Sequence, residues 1–421
     1  MRVRGDRAVT TTRRCFSVII AYVGALSILS CEQPPAERSG PDASDAAVAG
    51  DGIFRDQGFP DADATIGDGR GPSNDGAREV ADSAASDDGA PIKDAITLGP
   101  SRDAASYSIV VLPDTQYYSS SWPDIFAAQT RWIVDNRAAQ GIAFVLHVGD
   151  IVDSDVPEQW GVAARSLGLL DGELPYVLAA GNHDYQNLAD RTGLVDAYFS
   201  PAHFAQYSWF QGTFEEGRAE NSFSLFDVGA TRWLVIALEF GPRDEVLTWA
   251  NAVLSLCHEN PAIVITHAFL DHTGARYDHT QQGGGARFNP HDYVMMGQIG
   301  SSINDGQEMW QKLIEPNSNI KFVFSGHDVA PSQALPPGTA ARLTSTRPDG
   351  TRVHQILANY QTCIEAPCQV NKDGVTVHGG DGFLRILRFR PNDHAVDITT
   401  YSPYVDQYLT DDANQFTLPL D

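Results

Sequence analysis

The chain is short of positive charge. Lys and Arg together number 29 against 54 Asp and Glu, a formal net charge of −25 over 421 residues. A surface this acidic does not wrap a nucleic-acid backbone, nor does it settle by charge on an anionic lipid leaflet. Anionic small molecules are not excluded, because bound cations reverse the field locally. Cysteine is scarce, at five residues. No internal repeat is found, and the longest leading apolar run, Phe16 to Leu29, is too short for a comfortable membrane span. What is plentiful is apolar side chain, 42% of residues, enough for a sizeable core. The length suits one large domain with appendages.

The N-terminus reads as a targeting segment, residues 1–31. Arg2, Arg4, Arg7, Arg13 and Arg14 precede the apolar run, which ends in Ile28-Leu29-Ser30-Cys31. That ending resembles a bacterial lipobox with Cys31 as the lipidated residue, although Leu29 is not the favoured residue there. An ordinary signal peptide or an uncleaved anchor is the alternative. Thr12-Arg13-Arg14-Cys15-Phe16 resembles a twin-arginine export motif. Glu32 stands where an inner-membrane retention signal has Asp. The expectation is an exported chain tethered through Cys31 to the outer membrane, facing the periplasm or the cell surface.

Residues 32–105 carry 16 acidic and 6 basic side chains and almost no aromatic ones. Such a stretch buries too little apolar surface to offset its ordering entropy, and it is predicted to be a disordered acidic linker. Asp61, Asp63 and Asp68 fail the spacing of an EF-hand loop. Of the remaining cysteines, Cys363 and Cys368 flank Pro367 and suit a small surface disulfide in an oxidising compartment, or two neighbouring thiols. Cys257 lies in an apolar stretch and is expected to be buried packing.

Residues 106–421 have a different texture. Ile109–Leu112, Ala143–Leu146 and Tyr176–Leu178 read as buried strands, with helices predicted at Ile125–Arg137 and Glu158–Leu170. This β-α-β-α-β order places strands beneath helices. Tyr185 to Arg218 reads as an aromatic, loop-like insertion near the functional site. Further strands are predicted at Ser222–Phe226, Trp233–Ile236, Ala262–Ile265 and Ile320–Phe324, with a helix at Glu245–Cys257. Residues 270–305 read as a long loop over the site. Phe383–Phe389 and Ala395–Tyr401 form a predicted hairpin around Pro391-Asn392-Asp393.

Five polar clusters each follow an apolar strand. They are Pro113-Asp114-Thr115-Gln116, Gly149-Asp150-Ile151-Val152-Asp153, Gly181-Asn182-His183-Asp184, Thr266-His267 and Gly326-His327. Singly, each reads equally well as a helix cap, a turn or a structural histidine. Jointly, carboxylates, an amide oxygen and imidazoles at the carboxyl ends of strands suit two divalent cations.

In this order and spacing the chain resembles the calcineurin-like metallophosphoesterases from about Ser106 to Tyr404. Gly149-Asp150-x-x-Asp153 and Gly181-Asn182-His183-Asp184 match that family in full. The resemblance implies a four-layer α/β/β/α sandwich of two mixed sheets flanked by helices. It implies two divalent ions (Mn, Mg, Fe or Zn) bridged by Asp150. Asn182, His267 and His327 would complete one ion, and Asp114 with Gln116 would serve the other. His183 would face the phosphate, with Asp153 orienting it. A hydroxide held between two ions is a strong nucleophile at neutral pH, and His183 is suited to protonate the departing oxygen or to stabilise charge there.

The departures fall on the first ion's site. Gln116 stands where the family has His, and Val329 stands where the last motif has its final His. Asp328 or water are the alternatives for that place. The site should be harder and weaker than usual. Ser154 replaces a phosphate-clamping Arg of the family's protein phosphatases. His272 and His279 are candidates for substrate or auxiliary metal contact, against the plainer reading of solvated loop histidines. Asp271 and Arg276 stand in the same position, and Tyr117 and Tyr118 line the pocket or pack. The expected function is an exported metal-dependent hydrolase of phosphomonoesters or phosphodiesters. The alternative is a catalytically degenerate lipoprotein that binds metal or a phosphorylated ligand.

Overall fold

A computed structural model of the chain describes residues 106–281, 288–293, 302–330, 339–361, 370–372, 375–377 and 379–420. The expected targeting segment with Cys31, the expected acidic linker and the Cys363–Cys368 pair lie outside the described residues. Among the described residues, no helix is long and apolar enough to cross a membrane.

The strands are β1 (Tyr107–Leu112), β2 (Ile142–His147), β3 (Tyr176–Leu178), β4 (Phe210–Thr213), β5 (Ser222–Val228), β6 (Thr231–Ala237), β7 (Ala262–Ile265), β8 (Ile320–Ser325), β9 (Ala340–Thr346), β10 (Arg352–Ala358), β11 (Val370–Lys372), β12 (Val375–Val377), β13 (Leu384–Arg390), β14 (Ala395–Ser402), β15 (Gln407–Leu409) and β16 (Phe416–Pro419). The helices are α1 (Gln116–Ser120), α2 (Pro123–Asn136), α3 (Pro157–Leu167), α4 (Val195–Tyr198), α5 (Pro201–Phe204), α6 (Asp244–Leu256) and α7 (Gly306–Met309).

One sheet runs β15-β14-β13-β1-β2-β3, with β16 also on β14; the other runs β4-β5-β6-β7-β8-β10-β9. Both are mixed. β1, β2 and β3 are parallel, as are β6, β7, β8 and β10, and the remaining pairings are antiparallel.

Alternation along the strands builds the layers. In β1, Ile109 and Val111 point between the sheets, where they join Phe144, Leu146, Trp233, Val235, Ile263, Ile265, Phe322 and Phe324. Val110 and Leu112 point the other way, into a core with Ile125, Phe126 and Ile133 of α2 and Trp160 and Ala163 of α3. The far face of the second sheet buries Leu234, Ile236 and Val264 against α6 and the turn Trp310–Ile314. The result is the expected α/β/β/α sandwich, with central strands apolar on both faces as two-sided burial requires.

The helices start where the chain offers a start. α2 and α3 each open on a proline, whose missing N–H costs nothing in a first turn. α6 opens on Asp244 and Glu245, which complement the positive end of its dipole. The expected helix Glu158–Leu170 ends as an α-helix at Leu167 and tightens into a 3-10 turn, Gly168–Leu170. The hairpin of β13 and β14 closes around Pro391–Asp393 as expected.

The insertion Tyr185–Arg218 is more structured than its loop-like composition suggests. It holds α4, α5 and the edge strand β4, and Ser200 Oγ caps α5 by accepting from His203 N at 3.2 Å. Phe199, Phe204 and Trp209 pack with Tyr176 in the core below the first sheet. Only short elements result, because aromatic packing rather than a long amphipathic period holds this stretch. Of its aromatic residues, Tyr185 packs in the cluster with Phe240 and Tyr277, against the loop over the site.

Phe144 is fully buried between the sheets and stacks on Phe226 with ring centroids 4.4 Å apart. Phe144→Ala is expected to lower unfolding free energy by about 3–5 kcal/mol. Chemical denaturation followed by tryptophan fluorescence checks this, and a loss below about 1 kcal/mol contradicts the inter-sheet placement.

Candidate metal centre

The carboxyl ends of β1, β2 and β3 meet those of β7 and β8 at one edge of the sandwich. Asp114 follows β1, Gln116 opens α1, Asp150 follows β2, Asn182–Asp184 forms a 3-10 turn after β3, and His267 and His327 follow β7 and β8. Asp150, His267 and His327 each place a ligand-type atom within 4.8 Å of the others. His267 Nε2 lies 3.1 Å from Asp150 Oδ2 and 4.0 Å from Asp114 Oδ2. His183 N donates to Asp150 Oδ1 at 3.0 Å, and His327 N donates to Asp114 Oδ2 at 3.1 Å. Gln116 Nε2 donates to Asp153 Oδ1 at 3.3 Å. All the expected site residues are therefore gathered at this edge.

The backbone is bent to permit it. Asp150 has φ 48° and His327 has φ 75°, both in the left-handed region that non-glycine residues avoid. Two neighbouring glycines allow carboxylates to approach the main chain: a Cβ at Gly181 would overlap Asp150 Oδ1, and one at Gly326 would overlap Asp114 Oδ1.

Three of these residues bury an atom that has no hydrogen-bond partner among the described residues: Gln116 Oε1, Asn182 Oδ1 and His267 Nε2. His267 Nδ1 donates to Val148 O at 2.9 Å, which leaves Nε2 presenting a lone pair to Asp150. Two acceptors 3.1 Å apart need a cation between them. Without an ion that cation is a proton. Burial works against charge on His267, but Asp150 and Asp114 raise it to about 9. Burial pushes Asp114 up to about 8, with His267 opposing and Asp150 adding to the rise. Burial also opposes charge on Asp150, yet His267 and His183 hold it below the usual carboxylate range. Burial holds His327 down at about 3. Neutral imidazole, carboxylate and two bare amide oxygens in a dry site form a donor set that fits divalent cations.

His183 is held differently from the expectation. Its Nδ1 donates to the main-chain carbonyl of Asp153 at 2.7 Å, while the Asp153 carboxylate lies 3.8 Å away and accepts from Gln116. The short 3-10 turn brings the ring against the carbonyl first. Burial lowers its affinity for a proton, but Asp150 and the Asp153 carbonyl outweigh this and raise it. Asp328, the alternative for the ligand place where Val329 stands, accepts at Oδ2 from His272 N at 2.7 Å and from His272 Nδ1 at 2.8 Å. That tie engages both residues with each other. Arg276 lies over Trp310 and donates to Gln355 and Ser345, so it is engaged in packing. Asp271 closes its own turn through Thr273 N and Ala275 N. Tyr118 is buried and its hydroxyl accepts from Gly382 N, whereas burial and then the charges of Asp153 and Asp150 push Tyr117 up to about 12. Tyr117 thus stands beside the site and Tyr118 packs.

Several residues that matter here had no role from sequence. Asp184, fully buried, accepts from Ile151 N, Val152 N and Gly181 N at 2.8–3.0 Å and joins the Asp150 loop to the Asn182 turn. Asn359, after β10, donates to Asp114 Oδ2 at 2.8 Å. His147 accepts from Gly149 N, so its Nε2–H donates to Thr115 Oγ1 at 2.9 Å. Thr115 N in turn donates to Asp150 O. Asn359 sits in one more apolar-strand-then-polar cluster, Leu357-Ala358-Asn359, and the same strand-end logic would have found it.

The family model for calcineurin-like phosphoesterases matches residues 107–331, and the chain belongs to that family. It is 31% identical over 339 residues to the uncharacterized protein YvnB of Bacillus subtilis (strain 168), a match covering 77% of this chain and 22% of that protein. The chain thus spans about a fifth of that relative's length. Among solved structures it is similar to purple acid phosphatase PPD1 from yellow lupin seeds, at 16% identity and TM-score 0.43, covering 76% of this chain and 54% of that one. GAP50, the anchor in the inner membrane complex of Plasmodium, matches at 11% identity and TM-score 0.40, over 75% and 89% of the two chains. A 5′-nucleotidase precursor from Thermus thermophilus matches at 13% identity and TM-score 0.35, over 75% and 55%.

Gly326→Ala is expected to lower the stability of the metal-stripped protein by about 1–3 kcal/mol, because the new methyl displaces the Asp114 carboxylate. An unchanged denaturation midpoint contradicts this close approach.

Proposed function

We propose that the chain is an exported metal-dependent phosphoesterase acting on phosphomonoesters or phosphodiesters of small molecules. The observation that supports this most is the set of buried, unpartnered atoms around Asp150: Gln116 Oε1, Asn182 Oδ1 and His267 Nε2. Asp150, Asn182, His267 and His327 would hold one divalent ion, and Asp114, Gln116 and Asp150 the other. The second set has no imidazole, so its ion is the weaker and harder of the two. Such ions, Mn, Mg, Fe or Zn, would supply an activated water and neutralise phosphoryl charge.

The chain's own residues do the rest. Asn359 Nδ2 and His327 N fix the Asp114 carboxylate, and Val148 O fixes the His267 ring. Asp184 keeps the Asp150 and Asn182 loops in register. His183, with Nδ1–H given to the Asp153 carbonyl, keeps Nε2 for the leaving oxygen, and its side chain is 39% exposed. There it donates a proton or a hydrogen bond as the ester breaks. Ser154 offers no guanidinium to a phosphoprotein.

A second reading is a degenerate member that binds metal or a phosphorylated ligand without turnover. Val329 and the Asp328–His272 tie favour it. Hydrolysis of an aryl phosphate monoester and the matching diester, after stripping and single refilling with Mn²⁺, Mg²⁺ or Zn²⁺, separates the two. Turnover is expected with at least one ion and none in Asp150→Ala. His183→Ala should lose about 100-fold or more in kcat. Asp153→Ala keeps the orienting carbonyl and should lose only about tenfold. Metal binding without cleavage under any filling would replace the enzyme with the binder.

The same proposal places the chain on the outer membrane by a lipid on Cys31. Cys31→Ser should abolish palmitate labelling and release the protein from the membrane fraction. Labelling that survives the change rules this anchor out.

A further inference from the structure

A second group of ligand-type side chains stands apart from Asp150. His279, His291, Asp305 and Glu308 each place one donor atom within 4.8 Å of the others. They arrive from three stretches: the segment after Tyr277, the 3-10 turn Pro290–Asp292, and the cap and first turn of α7. His279 Nδ1 lies 2.9 Å from Asp305 Oδ2 and 3.9 Å from Glu308 Oε2. His291 Nε2 lies 2.7 Å from Glu308 Oε2. The two imidazole rings are 3.9 Å apart between centroids, tilted by 33°.

We propose that this group is a further, structural metal site that takes one borderline divalent cation, Zn²⁺ being the best fit, and clamps the His279 and His291 segments onto α7. Two imidazole nitrogens and two carboxylate oxygens are a donor set suited to Zn²⁺. With metal–ligand bonds of about 2.0–2.1 Å, neighbouring donors of a tetrahedral site lie about 3.3 Å apart. The separations of 2.7, 2.9 and 3.9 Å straddle that value. The two ring nitrogens approach from separate segments, as the ligands of a cross-linking ion do.

The supporting contacts are those of a built site. Asp305 is fully buried. Its Oδ1 is engaged as the helix cap by Gln307 N and Glu308 N, and its Oδ2, beside the His279 ring, accepts from His279 N at 2.8 Å and Asn289 Nδ2 at 3.2 Å. Oriented carboxylates of this kind are what metal sites use. The His279 side chain is 37% exposed, which leaves an ion a way in.

The clamp reaches the first centre without joining it. Phe288 O accepts from His327 Nε2 at 2.8 Å, and the next residue, Asn289, is the one that holds Asp305. Tyr277, two residues before His279, packs against the His327 ring at 6.0 Å. An ion at the second group would therefore steady these two contacts of His327, with Phe288 O and Tyr277. This site does not depend on the chain being an esterase.

The test is metal content and thermal shift on the full chain, stripped with chelator and re-equilibrated with Zn²⁺, for wild type and H279Q/H291Q. Wild type should retain one more equivalent than the double variant and gain more in Tm on adding Zn²⁺. Equal metal content and equal Tm gain overturn the proposal. Should the double variant not fold, histidine carbethoxylation of wild type read by peptide mass spectrometry decides. Protection of His279 and His291 by Zn²⁺ supports the site, and equal labelling with and without Zn²⁺ overturns it. Neither readout involves ester cleavage, so loss of the esterase reading leaves this one standing.

Discussion

A carboxylate 2% exposed to solvent, with the equally buried carboxylate of Asp114 close by, has to be met by positive charge. Asp150 is that carboxylate, and the surrounding structure is arranged by the need to hold it there. Its backbone is forced into the left-handed region, where a non-glycine residue costs about 1–3 kcal/mol. Its Oδ1 takes His183 N, its Oδ2 faces the lone pair of His267, and its carbonyl takes Thr115 N. A proton on His267 satisfies this arrangement in the absence of metal, and a cation satisfies it better, because a cation also serves the bare oxygens of Gln116 and Asn182.

The sandwich provides rigidity at this edge. Parallel strands of both sheets end there, and their inter-sheet core is apolar up to Val148, Ala179 and Ala237. The loops beyond are then tied to one another rather than left to solvent. Asp184 gathers three amide N–H groups across loops 33 residues apart in the chain. Asn359 brings in a strand from the far end of the second sheet, and His147 links Gly149 to Thr115. Burial, with the charge of Asp150 adding to it, pushes Asp184 up to about 7, against the pull of the Gly181 and Val152 amides. Its fixed position comes from those donors.

Much of this was legible from residue order alone. Apolar strands followed by Asp, Asn and His named the sheet, the edge and the gathered residues, because strand periodicity and strand-end polarity are local properties. What escaped was long-range. Strand-end polarity marks Asn359, but nothing near it names Asp114, 245 residues away, as its partner. His279 stood out as a histidine, but its partnership with His291, Asp305 and Glu308 depends on two separate segments folding onto α7. The Asp153 carbonyl replaced the expected carboxylate because main-chain groups are invisible to residue-type reasoning. The insertion after Tyr185 hid its short helices because aromatic packing, not helical period, supports them.

The most direct test of the account is anomalous scattering from crystals grown with Mn²⁺. The account predicts density within bonding distance of Asp150, Asn182, His267 and His327, with a weaker peak beside Asp114 and Gln116. An Asp150–His267 contact left at hydrogen-bond length with no anomalous peak near it, at saturating Mn²⁺, would contradict the claim that this buried carboxylate exists to hold a metal.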